Sequence, residues 1–255
     1  MKNDIIDNLD IEYKIVLNRA LKNAIQIFGD NLLNLTLCGS GGKGNIIKNW
    51  SDLDIYVVLK KYDILKVVEF MKSIEEFRIH VGTTFYTINE VKNNFLDVKT
   101  FIMCYEKQNY NVNPTLYGQD VFNTINHEEL IEMEYKNFPN VLHDFRRRYI
   151  EALKSNKIEK TYIKKLLILV KKILNVYYGI FIYGYKDSFD ELNRILKFDE
   201  KLTEMESFDI MEVIDNMEGN KDKILSYSEF LLKYIEKKVD RKEERKWEKE
   251  LVLGR

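Results

Sequence analysis

Cysteine and proline are scarce in this chain, and the scarcity excludes some classes of protein. Only two cysteines and two prolines occur among 255 residues. Both cysteines, Cys38 and Cys104, lie in apolar stretches, which argues against a disulfide-stabilised secreted scaffold and predicts reduced thiols in a cytoplasmic protein. The few prolines and eleven glycines leave little room for linkers. We therefore expect a globular protein built mainly from packed helices and strands.

Long apolar runs and an excess of one charge are also missing. No run of about 18 uncharged apolar residues predicts a membrane-spanning helix, and the N-terminal residues do not follow the pattern of a signal peptide. The 40 basic and 41 acidic side chains nearly cancel. A neutral total gives no field for holding a nucleic acid backbone. The composition therefore argues against a membrane protein and against a nucleic-acid partner.

The character of the chain changes near residue 126. Before that point helix and strand patterns alternate, and after it only helical patterns follow. We therefore predict an α+β protein in which a mixed-sheet core at 1–126 precedes an all-α bundle at 127–255. The predicted helices of the second part are Glu128–Lys154 with a break near Pro139, Ile158–Tyr183, Phe189–Lys197 and Lys221–Leu251.

A glycine-rich turn follows the first predicted strand, Leu33–Cys38. Gly39–Gly44 spells G-x-G-x-x-G, but the dinucleotide fingerprint requires a full helix before the next parallel strand. Only residues 45–51 are available, which predicts two antiparallel strands joined by a tight turn. Backbone amides in such a turn can bind phosphate oxygens, with Ser40 adding a hydroxyl and Lys43 a charge.

Two aspartates begin the next predicted strand, residues 52–59. Because side chains alternate along a strand, Asp52 and Asp54 lie on one side with Cα atoms about 6.6 Å apart. Two carboxylates on one face repel each other unless a cation lies between them. Carboxylate oxygens are ligands that Mg²⁺ accepts, often together with substrate phosphates. The pattern therefore predicts a magnesium site beside a phosphate-binding turn.

This segment resembles the signature of the DNA polymerase beta-type nucleotidyltransferase superfamily. Gly39-Ser40, a basic turn with Lys43 and Gly44, and Asp52-x-Asp54 in a hydrophobic strand all match that signature. A second stretch, Leu116–Asp120, is similar to the Leu-Tyr-Gly-x-Asp sequence that often closes the catalytic domain of small-molecule members. The resemblance implies that Gly39 and Ser40 bind nucleotide phosphates and that Asp52 and Asp54 are the catalytic magnesium ligands.

The layout, a nucleotidyltransferase core followed by helices, resembles the antibiotic nucleotidyltransferases that act on aminoglycosides or lincosamides. The resemblance implies a magnesium-dependent enzyme that moves a nucleoside monophosphate from a nucleoside triphosphate such as ATP to a hydroxyl of a small molecule. Antibiotic resistance is the expected biological effect. In such enzymes the helical domain helps to bind the acceptor and pairs the subunits into a homodimer.

One expected residue is missing from the pattern. The family usually carries a third carboxylate on the following strand, but the candidate strand Arg78–Thr87 contains no Asp or Glu. His80 is a substitute base, because its pKa in water lies near neutral pH, although a packed histidine is the commoner case. Two alternatives to a small-molecule transferase therefore stay open. They are an antitoxin-type protein nucleotidyltransferase and a catalytically weakened nucleotide-binding protein.

Overall fold

The chain forms two compact units, residues 1–133 and residues 134–255. The computed structural model describes residues 2–182, 184–199 and 208–253, with side chains at 4–182, 184–196 and 208–239. The division falls inside one helix, His127–Ser155, whereas the sequence placed the boundary just before that helix. The roles assigned to residues 1–126 and 127–255 stay predictions.

The first unit contains a four-stranded mixed sheet with the order β3-β2-β1-β4. Strand β1 is antiparallel to both β2 and β4, and β2 is parallel to β3. The antiparallel pairing predicted for the first two strands is therefore confirmed. The elements are α1 Lys2–Asp7, α2 Ile11–Phe28, β1 Leu32–Cys38, α3 Gly39–Gly42, β2 Leu53–Leu59, α4 Ile64–Glu75, β3 Val81–Thr87, α5 Ile88–Lys92, α6 Val98–Tyr110 and β4 Thr115–Gly118.

The two faces of strand β2 differ in chemistry, and this difference positions the candidate site. Leu53, Ile55 and Val57 are fully buried in the main core, which also contains buried residues of α2 and α4. Because side chains alternate along a strand, Asp54 and Tyr56 lie on the opposite face. The Tyr56 ring packs there against the Tyr86 ring of β3. One face of β2 therefore contributes to the main core, whereas the opposite face carries Asp54 near its start and a second, smaller hydrophobic cluster around Val58 and Tyr86.

The second unit is helical in its described part, so the predicted α+β class is confirmed. Its helices are α7 His127–Ser155, which begins in the first unit, α8 Lys160–Ile173, α9 Tyr185–Asp199, α10 Ile210–Asp215 and α11 Lys221–Leu253. Within the described ranges, no helix has both the length and the apolar character needed to cross a membrane.

Three of the predicted helices differ from the structure. Helix α9 begins at Tyr185, four residues before the predicted start at Phe189. Helix α7 continues through Pro139 without a break. Pro139 is exposed, so the carbonyl four residues earlier, which loses its helical partner, can bind water instead. Helix α8 ends at Ile173, earlier than predicted, and a π-helical segment, Leu174–Tyr178, follows it. Gly179 then ends the segment with φ of 66°, a left-handed conformation that glycine adopts without strain.

Candidate functional site

The two predicted metal ligands lie where the first three strands of the sheet meet. Asp52 immediately precedes β2, and Asp54 is its second residue. The Cα atom of Asp54 pairs with Cys38 at the end of β1 and with Gly82 near the start of β3. Both aspartates are half-buried. The structure therefore places Asp54 beside the glycine-rich turn that begins directly after Cys38.

The loop before β2 is held by a small network around Ser51. The Tyr13 hydroxyl of α2 donates to the Ser51 carbonyl at 2.9 Å, and the Ile47 amide donates to the Ser51 hydroxyl at 2.9 Å. Burial, followed by the charge of Asp52, raises the pKa of Tyr13, which keeps the phenol protonated as a donor. Ser51 thus fixes the backbone next to Asp52. Sequence reasoning did not single out either Tyr13 or Ser51.

Gly39 is explained by Asp54. Its φ is +63°, and a Cβ atom built on Gly39 would lie 2.2 Å from the Asp54 Oδ2 atom. A side chain at this position would therefore strain the backbone and displace the carboxylate. The family resemblance implies that Gly39 binds nucleotide phosphate. The contact with Asp54 already requires a glycine, so loss of binding in a Gly39 variant would not by itself indicate phosphate contact.

Ser40 lies in the single helical turn, α3, that follows β1. The Ser40 carbonyl accepts a hydrogen bond from the Asn45 amide at 2.9 Å, which closes the turn. Its half-buried hydroxyl makes no hydrogen bond with any residue that the structure describes. Gly42 ends the turn, and a Cβ there would lie 2.5 Å from the Leu37 carbonyl oxygen. The turn is thus tightly packed, whereas the Ser40 hydroxyl is available to a ligand.

Lys43, the third predicted phosphate ligand, is held by an acid that sequence reasoning missed. Its Nζ atom lies 2.6 Å from Oε1 of Glu106 on α6, and the side chains are only 12% and 6% exposed. The Asn113 side-chain amide donates to the other Glu106 oxygen at 3.4 Å, and the Asn113 backbone amide donates to the Gly42 carbonyl at 2.6 Å. A phosphate at Lys43 would therefore share the ammonium group with Glu106.

The second sequence motif, Leu116–Asp120, is tied to the same helix. Lys107 of α6 lies 2.8 Å from Asp120 Oδ2 and donates to the Thr115 hydroxyl at 2.6 Å. Lys107 is only 11% exposed. Consecutive residues of α6 thus contact two segments of the site region, since Glu106 holds the glycine turn and Lys107 holds the end of β4.

The cysteines are free and buried, in accord with the predicted reduced thiols. Burial and then the charge of Asp54 raise the pKa of the Cys38 thiol well above its ordinary value. Burial raises the pKa of Cys104 to about 12. A thiol with a raised pKa is protonated at neutral pH and is a poor nucleophile. Cys38 therefore lines the site as a small neutral side chain.

The third strand offers no acid beside Asp54. Gly82 pairs with Asp54, and Thr84 pairs with Tyr56. The strand begins at Val81 and not at Arg78 as predicted, so His80 lies before it. The His80 side chain is exposed, and its carbonyl accepts a hydrogen bond from the Leu53 amide at 3.0 Å. His80 is therefore near the start of β2 through its backbone, and its role as a base stays a prediction.

The donor set fits a hard divalent cation that the substrate helps to bind. Asp52 and Asp54 supply carboxylate oxygens only. Among the described residues, no three His, Cys, Asp or Glu side chains come together as a metal site. Mg²⁺ ordinarily keeps several waters and takes one or two carboxylates together with substrate phosphates. Two aspartates, one of them against the glycine turn, thus suit magnesium delivered with a nucleotide better than a closed all-protein site.

These observations define a class of fold. A short mixed sheet in which a Gly-Ser turn follows the first strand and an Asp-x-Asp pair begins the second, followed by helices, is the α+β arrangement that the sequence predicted. The predicted resemblance is therefore confirmed at the level of the fold.

A solved structure shares this fold. It is the crystal structure of spectinomycin adenyltransferase AAD(9) from Enterococcus faecialis with ATP and spectinomycin. The TM-score is 0.54 and the sequence identity is 15%, over 86% of this chain and 98% of the other. No protein-family model and no curated protein sequence matches the chain. At this identity the similarity establishes the fold alone.

Proposed function

We propose that this protein is a magnesium-dependent nucleotidyltransferase that moves a nucleoside monophosphate from a nucleoside triphosphate to a hydroxyl of a small molecule. The observation that carries the proposal is the position of Asp54, paired with the end of β1 and in contact with the first glycine of the turn. The contact between the Asp54 carboxylate and a glycine turn of a type that can bind phosphate supports the proposal.

Ser40, Lys43 and the backbone of α3 bind the triphosphate in this proposal. The first amides of a helical turn lack partners inside it and suit anionic oxygens. The Ser40 hydroxyl has no competing hydrogen bond among the described residues. Lys43 adds a positive charge whose place is fixed by Glu106, 2.6 Å away. Gly39 gives the Asp54 carboxylate the space to lie beside the bound phosphates.

Asp52 and Asp54 would hold the magnesium ion. When bound, Mg²⁺ neutralises charge on the phosphates and polarises the phosphoryl group for attack. In the transfer, the acceptor oxygen forms a bond with the α-phosphorus while the bond to the bridging oxygen breaks and pyrophosphate leaves. Most of the rate enhancement would come from positioning and charge stabilisation.

The hydroxyl proton must pass to a base, and β3 supplies no carboxylate for this step. His80 is the base candidate in the first unit, and an acceptor with its own amine is another source. We further propose that the helical part, residues 127–255, helps to bind the acceptor and pairs subunits into a homodimer. The neighbouring structure contains ATP and spectinomycin, which supports ATP as the first donor to test and an antibiotic as the first acceptor.

A turnover assay tests this function. The protein is incubated with Mg²⁺, each labelled nucleoside triphosphate in turn and a panel of aminoglycosides, spectinomycin and lincosamides. Mass spectrometry should find one acceptor heavier by a nucleoside monophosphate, with pyrophosphate released. The Asp52→Asn/Asp54→Asn double variant, folded as judged by circular dichroism, should give no product. Equal product from the double variant would contradict the assignment of the site.

A second candidate function, nucleotide binding without transfer, is favoured by one observation. The described residues contain no third carboxylate, histidine or cysteine grouped with the two aspartates. Metal-dependent ATP binding without product on any acceptor would support this candidate. Labelling of a tyrosine or serine on an added protein would instead support a protein-directed, antitoxin-type nucleotidyltransferase.

A further inference from the structure

Gly82 occupies a position in β3 where glycine has no evident structural benefit. It lies inside a regular parallel ladder with β2 and pairs directly with Asp54. It is absent from the glycines whose φ is positive, so any residue could adopt its backbone conformation. Glycine weakens the interior of a strand because it is flexible when unfolded and has no side chain to pack. The position therefore needs another explanation.

The explanation is a single contact. A Cβ atom built on Gly82 would lie 2.6 Å from the Asp54 Oδ1 atom, well inside van der Waals contact. The next nearest atoms, Asp54 Cγ and the Leu53 carbonyl oxygen, lie at ordinary distances of 3.7 and 3.8 Å. Nothing except the Asp54 carboxylate oxygen therefore opposes a methyl group at this position.

The same carboxylate is confined on its other side. Its Oδ2 atom occupies the space that a Cβ of Gly39 would need, at 2.2 Å. Gly39, directly after β1, and Gly82, near the start of β3, thus leave room for the two carboxylate oxygens of Asp54. A larger residue at either position would force the Asp54 side chain to rotate about its Cα–Cβ bond.

We propose that Gly82 is a positioning residue for Asp54. Because it has no side chain, Gly82 leaves the space in which the Asp54 carboxylate keeps the orientation that binds the magnesium nucleotide. This inference rests on the proposed function of the site. It also gives a steric reason for the missing third carboxylate at this point of β3. An Asp or Glu at position 82 could not coexist with Asp54 in its present orientation.

The test compares Gly82→Ala with Thr83→Ala in the full chain. Thr83 is the next residue of β3 and pairs with Ile55, a core-facing residue, and its hydroxyl contacts the Met71 sulfur. Isothermal titration with MgATP should show binding weakened at least about tenfold in Gly82→Ala, since a displacement of about 1 Å in such a site has effects of this size or larger. Thr83→Ala should bind as the wild type does. A folded Gly82→Ala variant that binds MgATP within twofold of wild type overturns the proposal.

A thermal cycle separates this proposal from the proposed function. Gly82→Ala is introduced into the wild type and into an Asp54→Ala background, and the melting temperatures of all four proteins are measured without nucleotide. With Asp54 truncated the clash is gone, so the alanine should raise the melting temperature there and should lower it or raise it less in the wild type. Equal shifts in both backgrounds overturn the contact. Unequal shifts in a protein that does not bind MgATP would retain the contact and reject the proposed function.

Discussion

Ser40 and Lys43 are close in sequence, but the structure holds them in different ways. The Lys43 ammonium lies against Glu106, and both side chains are largely buried. The Ser40 hydroxyl has no partner among the described residues. Removing the serine oxygen should therefore change ligand binding alone, whereas any change at Lys43 also alters the packing of the turn. Ser40 is thus the more informative residue for testing whether the turn binds phosphate.

We expect Ser40→Ala to weaken MgATP binding by about 0.5–3 kcal/mol, the range for one hydrogen bond to a neutral or charged group. The free energy of unfolding without nucleotide should stay within about 0.5 kcal/mol of wild type, because no intramolecular hydrogen bond is lost. Isothermal titration and urea unfolding measure the two quantities. Unchanged MgATP affinity would mean that the Ser40 hydroxyl does not contact the bound nucleotide.

The raised pKa values of the cysteines give a second test at this scale. Cys38 and Cys104 are buried, and Cys104 has a pKa of about 12. At pH 8 the native protein should therefore resist alkylation by iodoacetamide, and both residues should react promptly in urea, where their pKa returns to about 8.5. Mass spectrometry of the peptides gives the result. Rapid labelling of Cys38 in the native protein would contradict the buried, neutral thiol beside Asp54.

Among the elements, α6 links parts of the site that are distant in sequence. Through Glu106 it holds Lys43, and through Lys107 it holds Asp120 after β4. The Lys43–Glu106 contact joins residues 63 positions apart. Breaking a buried ion pair of this kind leaves one charge without a partner and poorly solvated, which is destabilising. The pair therefore favours the arrangement in which Lys43 lies against Glu106.

Glu106→Gln should lower the free energy of unfolding by about 1–3 kcal/mol, since a neutral amide would replace the charged partner that lies 2.6 Å from the Lys43 ammonium. MgATP affinity should change as well, because the ammonium is no longer held beside the turn. Glu69→Gln is the matched control, an identical change on an exposed residue of α4, and should have no measurable effect. Urea unfolding followed by circular dichroism measures the difference. Equal stability of the two variants would show that the pair does not support the turn.

The sequence predicts the elements well where a local pattern determines them. Strand β1 begins at Leu32, one residue before the predicted start, and β2 begins one residue after the predicted start at Asp52. The sequence predicts helix limits less well where they depend on solvent exposure or on tertiary packing. A proline inside a helical pattern predicts a break, but the exposure of Pro139 lets water bind the carbonyl that loses its helical partner. The earlier end of α8 had a signal in Gly179, whose left-handed conformation ends the following segment.

The sequence predicted only those site residues that lie close together along the chain. Asp52 and Asp54 follow from alternation along one strand, and the turn follows from its glycines. Glu106 and Gly82 were not identified, because their roles arise from contacts between segments distant in sequence. The face of Gly82 did follow from alternation along β3, but its contact with the Asp54 carboxylate depends on the pairing register of β2 and β3.

At the scale of the whole molecule, the chain consists of one unit that contains the sheet and a second unit that is helical in its described part. The likeness to an adenyltransferase structure extends over 86% of the chain and concerns the fold. The function proposed here depends on the chemistry of Asp52, Asp54 and the glycine turn in the first unit. Its central claim is that these two carboxylates bind a divalent cation together with a nucleoside triphosphate.

Calorimetric titration of ATP into wild type and the Asp52→Asn/Asp54→Asn variant, with and without Mg²⁺, tests that claim most directly. We expect the wild type to bind ATP tightly only when Mg²⁺ is present and the double variant to lose this metal-dependent gain. The variant should remain as stable as wild type without ligand, or become more stable, because two like charges on one strand face have been removed. Equal MgATP affinity in the wild type and the folded double variant would contradict the account.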